Sequence, residues 1–132
     1  MTRYAIDAPT LLRIVGEELP VAPGHQLVAP HAIRSRALTL LLRAVERGDL
    51  TEQEARALHT RLTELKIRVL GDRVSRWTSF RIARDRGWDT TYDAEYLAVA
   101  RLQADALVTV DPAMARLAEG VVPLAPLAAL GE

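Results

Sequence analysis

Three aspartates carry the clearest chemical signal in this chain. Asp7 closes the short apolar run RYAID, Arg3 to Asp7, and Asp111 follows the Val-rich run Ala106 to Val110. Each is followed by a proline and a helical pattern, so each acid is expected at the carboxyl end of a strand and the start of a helix. Asp93 lies in the first turn of a third helix, expected from Tyr92 to Gln103. In an open α/β sheet, ligands bind in the crevice outside the carboxyl ends of the strands. If the sheet reverses its order between the strands of Asp7 and Asp111, the two carboxylates stand side by side. Like charges held that close repel unless a proton or a cation intervenes. A hard divalent cation, Mg²⁺ or Mn²⁺, is the natural partner because it takes oxygen ligands and keeps waters in its remaining positions. Each aspartate also has a plain structural use, since an acid at a helix start caps free amides and favours the helix dipole, worth about 1 kcal/mol.

The elements that must position these acids follow from periodicity and punctuation. Strands are expected at Arg3 to Asp7, Gln26 to Ala29, Ile67 to Leu70, Ala106 to Val110 and Val121 to Leu124. Between the first two, a helical pattern from Pro9 gives way to a loop, Leu19 to Gly24, whose prolines and glycine cannot continue a helix. Ile33 to Arg47 has apolar residues at helical spacing and stops at Gly48. Leu38 and Leu42 widen its apolar face enough to permit a subunit interface. The run Thr51-Glu-Gln-Glu54 is a capping box that starts a helix with Ala55, Leu58, Leu62 and Leu65 on its buried side. The Arg-rich segment after Gly71 is expected to bury Val74, Thr78 and Ile82 with Trp77 beside them, and to wet Arg73, Arg76 and Arg84. In the helix from Tyr92, the buried stripe is expected at Tyr92, Tyr96, Val99 and Ala100. Strands alternating with helices imply right-handed parallel β-α-β units. The expected fold is one three-layer α/β domain over residues 1–132, with a central, mainly parallel five-stranded sheet flanked by helices.

Composition narrows the chemistry. There are no cysteines among the 132 residues, which excludes a disulfide framework, a thiol nucleophile and thiolate zinc sites, and fits a reducing cytoplasm. Seventeen basic and seventeen acidic residues give no net charge, so nucleic-acid binding would have to be local. All basic residues but Lys66 are Arg, a bias that suits bidentate phosphate contacts. No secretory signal or membrane-length apolar run is present, so a soluble protein is expected. Phosphate-binding glycine loops, a G-x-S-x-G elbow and paired zinc histidines are absent, and His25, His31 and His59 are scattered. Trp77 and Trp88 could stack on bases, though two Trp in so small a domain more often serve a core or an interface.

The opening YAIDAPTLL, the segment LVAPHAIRSRALTLLLRA and above all TTYDAEYLAVARLQADALVTVD resemble the PIN-domain family, in particular the VapC-type toxins of toxin–antitoxin pairs. The resemblance covers nearly the whole chain. The third stretch is the specific one, pairing YDA-x-YLA-x-A with a following V-T-x-D. The resemblance implies a Mg²⁺- or Mn²⁺-dependent endoribonuclease that cleaves RNA phosphodiesters with a metal-activated water. It further implies a homodimer neutralised by a cognate VapB-like antitoxin. Asp7, Asp93 and Asp111 match the family's metal-binding and catalytic acids, and Thr109 matches its hydroxyl residue two positions before the last acid, where it is expected to contact substrate. A metal there lowers the pKa of a water and offsets charge on the phosphate, in keeping with the crevice of acids.

One position departs from the pattern. The family usually places a Glu six residues after a proline like Pro30, and this chain has Arg36. Arg36 is expected to face the same crevice, pairing with a metal-binding carboxylate or holding an RNA phosphate. The alternative reading is therefore a catalytically impaired PIN domain that binds RNA or a protein partner. A receiver-like phosphoacceptor also puts acids at strand ends, but Lys66 is misplaced for it.

Overall fold

The computed structural model describes residues 1–132. Five strands run parallel in the order β3-β2-β1-β4-β5: β1 (Thr2–Ile6), β2 (His25–Pro30), β3 (Arg68–Leu70), β4 (Ala106–Val108) and β5 (Leu124–Ala125). The order reverses between β1 and β4, as the side-by-side placement of Asp7 and Asp111 requires. Tyr4 lies opposite Ala106 and Ile6 opposite Val108. At the other end of this pair Asp105 fixes the register: its carboxylate accepts from the Arg3 N–H at 2.8 Å, and its own N–H donates to the Arg3 carbonyl at 2.8 Å.

Six helices flank the sheet: α1 (Ala8–Gly16), α2 (Ile33–Glu46), α3 (Glu52–Glu64), α4 (Arg73–Arg86), α5 (Tyr92–Gln103) and α6 (Pro112–Ala118). Helices α1, α2 and α3 pack on one another; α4 packs on α5, which lies over β2, β1 and β4. The expected capping box at Thr51 is present in full, and Gly48 follows α2 with the positive φ that glycine adopts freely. The core runs through the middle strands, where Ile6, Val28, Leu107 and Val108 are fully buried.

Two expected faces are misplaced. In α4 the buried positions are Ser75, Ser79, Ile82 and Ala83, while Val74 and Trp77 are exposed. The serines go inside because their hydroxyls satisfy themselves on the helix backbone, Ser75 on Asp72 and Ser79 on Ser75, and their small size lets α5 approach closely. In α5 burial extends round the helix from Ala94 to Ala100, but Tyr92 stays exposed. That helix is covered by the sheet on one side and α4 on the other, so no single stripe defines it. The strand expected at Val121 to Leu124 begins only at Leu124 and is two residues long.

Leu107, on the inner strand β4, is 0% exposed. Leu107→Ala should cost roughly 2–5 kcal/mol, read as a lower urea midpoint with an unchanged slope.

Candidate active site

The carboxyl edge of β1 and β4 opens into a cleft of about 590 Å³ whose lining includes Asp7, Asp93, Asp111, Arg36 and Tyr96. Sequence reasoning placed the three acids and Arg36 on one crevice, and they line it together. No histidine lines it.

Asp7 is the deepest of the acids, 2% exposed. It caps α1: its Oδ1 accepts from the Thr10 N–H at 3.2 Å and also from the Thr10 hydroxyl. Its Oδ2 accepts from the Thr109 hydroxyl at 2.6 Å. Both hydroxyls then accept in turn, Thr10 Oγ1 from the Val110 N–H and Thr109 Oγ1 from the Asp111 N–H, each at 3.1 Å. Two threonines thus tie the end of β1 to the turn between β4 and α6. Thr109, expected to contact substrate, does not line the cleft and spends its hydroxyl on Asp7 and Asp111. It is a positioning residue.

Asp111 is half-buried and caps α6, its Oδ1 accepting from the Ala113 N–H at 2.9 Å. Capping and cleft-lining therefore coexist in Asp7 and Asp111. Asp93 is exposed in the first turn of α5. None of the three forms an ion pair with Lys or Arg, although Arg36 and Arg43 line the same cleft. Burial pushes the Asp7 pKa above its ordinary value; the bonds from Thr10 and Thr109 oppose the rise, and the nearby charge of Asp111 adds to it.

Arg36 departs from expectation in its partner. Its Nη2 lies 3.9 Å from Glu95 Oε2, and its guanidinium sits 3.6 Å over the Tyr92 ring. It therefore leans on two α5 side chains and leaves the three aspartates uncompensated. Glu95 carried no usable signal, because it is recognisable only once α2 is seen to face α5. Its carboxylate also accepts from the Thr91 hydroxyl at 3.0 Å. Tyr96, anticipated only as part of a buried stripe, brings a buried hydroxyl with no hydrogen-bond partner to the cleft. Burial raises its pKa; Arg36 opposes this, and the charges of Asp7, Glu95 and Asp93 reinforce it.

No three acidic or histidine side chains stand close enough to form a closed metal cage. A buried carboxylate beside a second one, without a guanidinium across them, is nonetheless suitable chemistry for a hard cation that keeps several waters and takes one or two carboxylates. The residues fit a hydrated divalent ion.

No family model matches the chain, and no curated protein matches it. Among solved structures, it is similar to the crystal structure of PAE2754 from Pyrobaculum aerophilum. The two share 22% identity with a TM-score of 0.71, covering 98% of this chain and 92% of that one. At that identity the likeness speaks to the fold.

Because burial raises the folded pKa of Asp7, the folded chain keeps a proton that the unfolded chain has released as pH rises above 3.8. Stability should therefore fall with rising pH across this window and stay lowered above it. Asp7→Asn removes the charge, so it should melt higher than the parent at neutral pH. The gap should close as pH drops below the ordinary carboxyl value, as thermal melts across pH would record.

Proposed function

We propose that this chain is a divalent-metal-dependent endoribonuclease of the VapC-type PIN class, acting on RNA phosphodiesters. The observation that carries the reading is that Asp7, Asp93 and Asp111 line one cleft at the reversal of strand order while forming no ion pair. A bound Mg²⁺ or Mn²⁺ would supply charge neutralisation at the phosphate and activation of a water. Asp7, Asp93 and Asp111 are the residues that would hold it. Thr10 and Thr109 keep the Asp7 oxygens fixed, so the buried carboxylate is oriented before any ligand arrives. Arg36 and Arg43 enter the cleft from the α2 side, seven residues and so about two turns apart. Their guanidiniums suit the non-bridging oxygens of a phosphodiester held against the acids.

The partners belong to the same proposal. Leu38 and Leu42 on α2 are exposed large apolar groups, a surface suited to a homodimer. An antitoxin arginine reaching the acids would compete with the metal by charge pairing. No helix is long and apolar enough to cross a membrane; a cytoplasmic setting is part of the proposal.

A second reading has its own support. Arg36 stands where the family has a Glu, and the acids do not close into a cage. Both favour a PIN domain impaired in catalysis that retains RNA or protein binding. The two readings part at metal-dependent cleavage.

Titration calorimetry with Mn²⁺ should give a binding isotherm that Asp93→Asn weakens by on the order of tenfold, about 1.4 kcal/mol. Parent-like affinity in that variant would reduce Asp93 to a helix-start residue. Arg36→Glu should raise Mn²⁺ affinity and, if the missing carboxylate limits the enzyme, RNA cleavage with it. Higher affinity with lower cleavage would instead make Arg36 a phosphate ligand of an active variant.

A further inference from the structure

Helix α4 carries a surface that the cleft does not use. Its inner face, Ser75, Ser79, Ile82 and Ala83, is already buried. Arg73, Trp77, Phe80 and Arg84 follow one another at spacings of four, three and four residues, which places them on a single helical face. The Trp77 and Phe80 rings are stacked, with centroids 4.5 Å apart and planes 10° from parallel, and they stand 58% and 42% exposed. Arg73, Arg81 and Arg84 are exposed and form no ion pair. A stacked aromatic pair in open water between unpaired guanidiniums is costly surface for a helix that is already anchored on its other side.

The location matters as well. The first turns of α4 line a second cleft at the ends of β2 and β3, where Arg76 and Ser79 meet His31 and Glu95. Glu95 is the residue on which Arg36 leans, so this second cleft adjoins the acidic one. From its last turn the chain passes through Gly87 and Trp88 to Thr90, which lines the acidic cleft. The aromatic face therefore belongs to a helix that lines the second opening and leads, just past its end, to the first.

We infer that the outer face of α4 is a docking platform for the single-stranded RNA that flanks the cleavage cleft; the identity of the polyanion rests on the ribonuclease reading above. Flat, exposed rings offer a face to any unpaired base, and the guanidiniums around them reach phosphates. From Arg73 to Arg84 the platform is about 16 Å long at the rise of an α-helix. Charge decides against a second copy of the chain as the occupant. A two-fold contact would set this patch against itself, arginines facing arginines.

The chain has two tryptophans, so fluorescence can be assigned by substitution. In Trp88→Phe protein carrying Asp7→Asn, with no metal added, a mixed-sequence unstructured RNA oligonucleotide should quench Trp77. Measured by anisotropy of labelled RNA on the Asp7→Asn background, Phe80→Ala and Trp77→Ala should each weaken binding roughly tenfold. Trp77→Phe, which keeps a ring, should retain most of it. Arg73→Gln with Arg84→Gln should flatten the salt dependence by roughly 0.7 in slope per lost contact. These side chains are exposed, and unchanged melting temperatures would confirm intact folds. Because no cleavage is read, failure of the nuclease reading would leave these outcomes standing. The inference is overturned if Trp77→Ala binds RNA like its parent. It is equally overturned if that substitution splits a dimer seen by light scattering, or if polyglutamate quenches Trp77 and RNA does not.

Discussion

The site depends on a buried carboxylate held by two threonines. Asp7 ends the central strand at the point where the sheet changes direction, and its two oxygens take the hydroxyls of Thr10 and Thr109. Those hydroxyls in turn hold the amides of Val110 and Asp111. Five residues from two distant parts of the sequence are thereby locked to one another, and Asp111 is placed relative to Asp7 by hydrogen bonds rather than by strand pairing alone. The cost is desolvation of a negative charge, seen in the raised pKa of Asp7. Strain of this electrostatic kind, tolerated deep in a cleft and left without a guanidinium partner, is the kind that perturbed groups at functional sites maintain, and it supports the proposed cation site.

Much of this was readable along the chain. A strand-end acid followed by proline and a helical pattern marks both Asp7 and Asp111, and the structure finds each as a helix N-cap at the carboxyl edge. Side-by-side strand-end acids require the order to reverse between β1 and β4, and the sheet reverses there. Local signals failed where tertiary contacts decide. The apolar Val74 and Trp77 of α4 read as core, yet serines fill that place because a close helix contact rewards small side chains. The pairing of Arg36 with Glu95 joins α2 to α5 and has no local signature. The unpartnered hydroxyl of Tyr96 is invisible in a sequence, where the residue reads as another large apolar group.

Charge in the cleft is arranged rather than balanced. Arginines and aspartates share the same walls, but Arg36 is drawn aside onto the Tyr92 ring and towards Glu95. The α5 helix thus supplies one of the acids and also the two groups that restrain the nearest guanidinium. Negative charge stays concentrated over Asp7 and Asp111, and positive charge enters from α2. On the proposed reading, a phosphodiester crossing such a cleft would meet cationic groups on the α2 side and, were a divalent ion held, a further positive centre at the acids. Arg36 still lines the cleft, and a guanidinium on its wall opposes any cation held there, which favours the competing reading.

The central claim is that the three aspartates form a divalent-cation site. Crystals soaked in Mn²⁺ and recorded near the manganese absorption edge test it most directly. The account predicts an anomalous peak in the cleft, within direct or water-mediated reach of the Asp7 and Asp111 carboxylates and facing Asp93. An anomalous map with no peak there, while Asp7 remains gripped by Thr10 and Thr109, would contradict it.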